Sequence, residues 1–220
     1  MDPEFWHRRW AKNEIGFHES EGSKLLKQHF SNWHLPENAK VFVPLCGKTR
    51  DIGWFLSHGI EVVAIELNRD AVDALFKELG VTPEIEYVSK DKSELIRYRV
   101  RDLTVYVGDF FALSEQDIGP VDGVYDRAAL VALPEALRRK YSQHLSDITN
   151  KASQFLVCYD YDQSLLNGPP FSVFEEEVNM LYSGDFSITQ LYRARVEGGF
   201  RGESEVFEAV YLLTSQNSSS

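Results

Sequence analysis

The stretch that most constrains the fold runs from Lys40 to Leu67, KVFVPLCGKTRDIGWFLSHGIEVVAIEL. Val41, Phe42 and Val43 form a short unbroken apolar run, the pattern of a strand covered on both faces. Pro44 cannot donate to a ladder and Gly47 accepts a tight turn, so the strand should stop there. From Asp51 to His58 the spacing predicts a helix with Ile52, Phe55 and Leu56 on one side, and Gly59 stands where a helix closes. Glu61 to Ile65 reads as a second buried strand with Glu66 at its carboxyl end. Strand, turn, helix and strand, with an acid about 20 residues beyond the turn glycine, is the layout of a nucleoside-binding βαβ unit. In that layout the turn offers backbone N–H groups to a ligand, and the acid accepts from both ribose hydroxyls.

The same stretch excludes several alternatives. Gly47 is its only turn glycine, so the G-x-G-x-x-G of nicotinamide dehydrogenases is missing. The CGKT sequence looks like the end of a phosphate loop, but Phe42 occupies the position of that motif's first glycine. Cys46 and Cys158 are the two cysteines, too few for a disulfide framework and without C-x-x-C spacing for a metal. A formal net charge of −11 disfavours a polyanionic partner such as a nucleic acid. No run approaches 18 consecutive apolar residues, and the first residues lack an apolar leader, so a cytoplasmic protein without a membrane partner is expected. At 220 residues, 43% hydrophobic and 26% charged, the chain suits one globular domain.

Before the first strand, Phe5, Trp6 and Trp10 recur at helical spacing, with Phe17 following; pattern alone favours packing of these rings on the core. Ser20 can cap a helix carrying Leu25, Leu26 and Phe30, and His18 is given no role. After Glu66 a helix holds Ala71, Val72, Leu75, Phe76 and Leu79 and closes at Gly80. Residues 84–107 carry alternating runs, read as a small hairpin insertion leading into a third core strand, Leu103 to Val107. The loop after it reads Gly108-Asp109-Phe110-Phe111. Asp109 can accept from an exocyclic amine and an apolar side chain can flank a ring, or Asp109 can simply cap the next turn. A fourth strand, Val121 to Tyr125, leads into D-R-A-A-L-V-A at 126–132. An ion pair between Asp126 and Arg127 is a poor account of that motif, since neighbours in a strand point opposite ways. A helix with Leu137, Tyr141, Leu145 and Ile148 and a strand Phe155 to Tyr159 come next. Gly168-Pro169-Pro170-Phe171 marks a shaped loop, in which Phe171 could stack on a flat ring or pack inward. Helix Glu175 to Tyr182 and antiparallel strands Ile188 to Arg195 and Val206 to Leu213 complete the chain.

These words, more than their layout, carry a resemblance. PLCGK with a WFL helix and a strand ending in Glu66, W-x-x-x-W followed by G-F-H-E, D-R-A-A-L-V-A, G-P-P-F and the terminal Y-L-L-T resemble the thiopurine S-methyltransferase family, from roughly Trp6 to Thr214. The resemblance implies a class I, Rossmann-like enzyme using S-adenosylmethionine. Its fold would be a three-layer α/β/α sandwich with a mostly parallel seven-stranded sheet and an antiparallel C-terminal hairpin. It implies a single domain: an extension over the cofactor at 1–35, a cofactor-binding core at 36–160, and an acceptor-side lid and hairpin at 161–220. Trp10, Leu45, Glu66, Asp109, Phe110 and Arg127 are implied as cofactor residues, with Trp6 a weaker candidate. An aromatic face at Trp10 suits a sulfonium cation. Phe17 and Arg127 are implied on the acceptor side; the family keeps an acceptor arginine in the region of Arg193, Arg195 and Arg201, but the changed spacing singles out none of the three. The expected reaction is in-line methyl transfer to the sulfur of a thiopurine or similar heterocyclic thiol, by a monomer that holds no metal. Arg127 would orient or favour the thiolate, and no residue would serve as general base. Selenium or tellurium compounds as acceptors, or a non-catalytic nucleoside-binding module, are the alternatives.

Overall fold

The computed structural model describes residues 3–12, 14, 19, 21–90 and 93–216. They fall in two compact units, residues 1–122 and 123–220. The first opens with helix α1 (Pro3–Ala11) and helix α2 (Lys24–His29). The cap of α2 is Ser23, whose Oγ accepts from the Leu26 N–H at 3.2 Å; Ser20 lies outside the described residues. The central stretch then forms β1 (Lys40–Val43), α3 (Asp51–Ser57) and β2 (Glu61–Glu66), as its periodicity requires. Val41, Phe42, Val62 and Ala64 have no exposure, which is what an apolar run without alternation implies. Helix α4 (Arg69–Leu79) is capped by the Asn68 side chain and closed by Gly80 at φ 70°, and it buries Ala71, Val72, Leu75 and Phe76.

The alternating runs that follow are β3 (Glu84–Lys90), β4 (Ser93–Val100) and β5 (Leu103–Val107), ahead of the short helix α5 (Glu115–Ile118). They are not a detached hairpin. Arg101 and Asp102 make a two-residue turn, with Arg101 at φ 43°, and Val100 pairs with Leu103. That turn folds β4 antiparallel onto β5, so β3 and β4 extend the sheet as β3-β4-β5-β2-β1. Only β1, β2 and β5 of this unit run parallel, and the Glu66–Val107 pairing brings the carboxyl ends of β2 and β5 level.

The second unit contains β6 (Gly123–Arg127), α6 (Glu135–Ile148), β7 (Ser153–Asp160), α7 (Glu175–Tyr182), β8 (Phe186–Arg195) and β9 (Phe207–Ser215). Its strands run in the order β6-β7-β9-β8; β6 and β7 are parallel, while β9 is antiparallel to both β7 and β8. Strand β6 continues to Arg127, so Asp126 and Arg127 end the strand rather than follow it. The described residues therefore hold nine strands of mixed direction, where a mostly parallel seven-stranded sheet was expected. The difference is the β3–β4 pair, whose alternating residues read as an insertion until its pairing is seen. Among the described residues no helix is long and apolar enough to cross a membrane.

Candidate active site

At the carboxyl end of β1 the chain turns sharply: Leu45 adopts φ 46° and Gly47 φ 53°. A left-handed conformation costs a residue with a Cβ about 1–2 kcal/mol, so the turn at Leu45 must be held from outside. It is held by β2. The Cys46 N–H donates to the Ile65 carbonyl at 2.9 Å, and the Gly47 N–H donates to Glu66 Oε2 at 2.8 Å. The other oxygen of Glu66 accepts from the Asn68 N–H at 2.9 Å. Glu66 is only 7% exposed. Burial pushes its carboxyl above the usual range, opposed by the N–H groups of Asn68, Gly47 and Leu67. Two of the turn N–H groups expected to face a ligand, those of Cys46 and Gly47, are thus spent on β2 itself.

The carboxylate of Glu66 has about four acceptor sites, so two backbone bonds leave it capacity for ligand hydroxyls. Glutamine cannot replace it, since one backbone N–H would then face an amide NH2 group. Glu66→Gln is expected to cost about 1–3 kcal/mol of stability. A urea midpoint equal to the wild type's would show that the clamp carries no weight.

Cys46 lies beside this carboxylate with its Sγ 3.4 Å from the Gly47 carbonyl; burial first, then Glu66, push its thiol well above the usual range. It is unsuited to be a nucleophile. Helix α1 approaches the same place, where His7 Nδ1 lies 3.1 Å from Asn68 Nδ2. Trp6 and Trp10 sit half-buried on α1, and Phe17 falls outside the described residues. At the end of β5, Asp109 is exposed and its Oδ1 accepts from the Phe111 N–H at 3.1 Å, which makes it a cap of the turn Phe110–Ala112. Phe110 is buried and stacks near Phe42, with centroids 6.5 Å apart and planes at 25°, as a core ring would. Its neighbour Phe111, not singled out by pattern, keeps more surface.

In the second unit Arg127 ends β6 half-buried, and Ala128 after it takes φ 62°. The organiser of this turn is Asp126, which is 0% exposed. Its Oδ1 accepts from the Leu130 N–H at 3.0 Å and its Oδ2 from the Tyr141 hydroxyl at 2.7 Å. Burial raises its carboxyl from 3.8 to about 6, with the Leu130 and Ala129 N–H groups and Tyr141 opposing. A raised carboxyl means that the fold binds the proton more tightly than the unfolded chain, so this group's contribution falls as pH rises from about 4 to 6. Asp126→Asn keeps an acceptor for Leu130 and can donate to the Tyr141 oxygen, but it does not titrate. The stability of the Asn variant relative to wild type should therefore be higher at pH 7 than at pH 4. Equal differences in urea midpoint at both pH values would contradict this.

The G-P-P-F loop is fastened to the same region. The Phe171 N–H donates to the Val131 carbonyl at 2.6 Å, and the Tyr161 hydroxyl donates to the Pro170 carbonyl at 2.6 Å. A Cβ on Gly168, at φ 64°, would meet the Phe171 ring at 2.5 Å, so only glycine lets that half-buried ring lie where it does. Arg138, 5.8 Å from the ring, donates to the carbonyls of Leu133 and Ser172 and pairs with Glu177 at 2.6 Å. Of the three C-terminal arginines, Arg193 binds Asp160 and lies 4.0 Å from the Phe207 ring, and Arg195 pairs with Glu205. Arg201 is different: it donates to the Pro169 carbonyl at 2.9 Å, beside a stacked pair of Tyr159 and Phe200. Asp126, His7 and the Arg138–Glu177 pair escaped the sequence pattern, although an aspartate in an otherwise apolar strand end was a usable signal.

Solved structures with similar folds include methyltransferases. A SAM-dependent methyltransferase from Anabaena variabilis matches with a TM-score of 0.65 at 15% identity, over 96% of this chain and 95% of that one. A Burkholderia thailandensis 1,6-didemethyltoxoflavin-N1-methyltransferase, solved with S-adenosylhomocysteine, matches with a TM-score of 0.57 at 16% identity, over 94% and 81%. At such identities the likeness is one of α/β fold. Sequence relatives are nearer. The thiopurine S-methyltransferase of Xanthobacter autotrophicus is 48% identical over 214 residues, 97% of this chain and 99% of its own length. That of Acinetobacter baylyi is 43% identical over 216 residues, 98% and 100%. The profile described as Thiopurine S-methyltransferase (TPMT) matches residues 1–216, turn, strand-end acid and D-R-A-A-L-V-A included. With that match spanning nearly every residue, the chain belongs to the thiopurine S-methyltransferase family.

Proposed function

We propose that this protein moves the methyl group of S-adenosylmethionine to the sulfur of a thiopurine or a similar heterocyclic thiol. The observation that carries the reading is the family match over residues 1–216. The donor's ribose fits what the structure offers at β2: a buried carboxylate with acceptor capacity left, at the end of a parallel strand. Glu66 and the Leu45 turn would hold the nucleoside, Asp109 and the Phe110–Phe111 turn would lie toward the base, and Trp10 would cover the sulfonium. When bound, the donor supplies a methyl on positively charged sulfur, an activated leaving group.

The chain's own task is then to orient, to exclude water and to keep the acceptor sulfur anionic. Good positioning is worth about 7–11 kcal/mol. Arg127 is the charge assigned to the thiolate, since a guanidinium stays protonated and cannot act as base. Arg201 is the best placed of the three C-terminal arginines for the acceptor side, because it alone among them binds the G-P-P-F loop. No covalent intermediate is invoked, as Cys46 and Cys158 are both buried with thiols pushed up. The reading is of one methyltransferase domain acting as a cytoplasmic monomer on a small molecule. Labelled S-adenosylmethionine with a panel of heterocyclic thiols, selenium and tellurium compounds tests it. Methylated thiol is expected; transfer only to selenium or tellurium would change the acceptor, and donor binding without any transfer would make the protein a binding module.

A further inference from the structure

Helix α1 contributes one polar contact to the end of β2 that neither pattern nor family motif singled out. Asn68 caps α4 with its Oδ1, which accepts from the Ala71 N–H at 3.0 Å. The cap fixes which way the amide faces, so Nδ2 is the atom that meets His7 Nδ1 at 3.1 Å, and it must donate. In this contact His7 Nδ1 accepts, which is the role of the tautomer that carries its proton on Nε2. Asn68 is 4% exposed, and its backbone N–H is one of the two that hold Glu66. A continuous chain thus runs from α1 through Asn68 and Glu66 to the turn at Gly47. Trp10, three residues along α1, shares a helix face with His7.

We propose that His7 is a positioning residue, a latch whose bond to Asn68 seats α1 on the carboxyl end of β2 and so couples the closed N-terminal helix to donor binding at Glu66. The coupling rests on the functional reading above; the latch itself does not. Without the bond, the same helix must be ordered by the donor, and the donor binds more weakly by the cost of that ordering. The contact is replaceable, because an asparagine at position 7 puts an acceptor oxygen near the place of Nδ1, whereas alanine leaves none. The α4 cap survives either change, since the Asn68 Oδ1–Ala71 bond does not involve His7.

The test uses the full chain as wild type, His7→Ala and His7→Asn. Amide exchange of residues 4–11 without ligand, and calorimetric affinity for S-adenosylhomocysteine, are read together. In His7→Ala, exchange of α1 should speed up about three- to tenfold and affinity should fall by a similar factor, as one hydrogen bond is lost. His7→Asn should recover most of both, with kcat at saturating donor little changed in either variant. Unaltered α1 exchange in His7→Ala, or an Asn variant no better than Ala, would overturn the latch. Faster exchange with unaltered affinity would overturn the coupling. If wild type fails to bind S-adenosylhomocysteine, it is the functional reading that falls, while the exchange measurement still decides the latch.

Discussion

Arg127→Ala is expected to lower methyl-transfer activity about 10²- to 10³-fold, the usual cost of losing one preorganised charge at a reacting centre. The side chain of Asp126 is committed to Leu130 and Tyr141, and its neighbour in the strand points the opposite way. Changing Arg127 therefore leaves the Asp126 bonds to Leu130 and Tyr141 in place. Arg127→Lys keeps the charge but loses the planar fork, so partial activity should remain. Rate against pH separates two roles. If the guanidinium chiefly favours the thiolate, the Ala variant recovers as rising pH ionises the acceptor unaided. If it chiefly orients ligands, raising pH brings no recovery. Wild-type rates in a folded Ala variant would remove Arg127 from the site.

The second large effect is on stability. Arg138 and Glu177 are buried, with side chains 4% and 7% exposed, and they meet at 2.6 Å. Arg138 also satisfies the carbonyls of Leu133 and Ser172, at 2.9 and 3.0 Å. Removing one partner leaves an uncompensated charge in a dry place, which costs about 3–5 kcal/mol. Arg138→Met and Glu177→Leu are each expected to lose that much in urea unfolding. The double variant should lose far less than the sum, because no lone charge remains. Single variants within about 1 kcal/mol of wild type would show that the pair is not a structural lock. The consequence reaches the G-P-P-F loop, since Arg138 holds the residue next to Phe171.

These expectations divide by where their information lies. The β1-turn-α3-β2 stretch was legible residue by residue: an unbroken apolar run, a proline, a glycine and a helical period are local, and each acts on its own neighbours. The strand-end position of Glu66 followed from the same count. Family membership was legible for a related reason, as the motifs are contiguous words. The hairpin of residues 84–100 was visible as alternating runs, but its seat on β5 was not. Alternation marks a strand with one exposed face and says nothing about which edge it joins.

The site's wiring lay beyond sequence reading for a single physical reason: a hydrogen bond or ion pair depends on distance in space, and periodicity carries no record of the partner. Gly47 meets Glu66 across 19 residues and Tyr141 meets Asp126 across 15. Arg201 meets Pro169 across 32, Glu177 meets Arg138 across 39 and His7 meets Asn68 across 61. The sequence alone determined that this chain builds a nucleoside-type βαβ unit with an acid at its strand end. Tertiary structure alone decided that the acid clamps its own turn, that Asp109 caps and Phe110 packs, and which arginine reaches the loop. Those outcomes depend on which buried donors lack another acceptor, and folding settles that only when the distant elements are brought together.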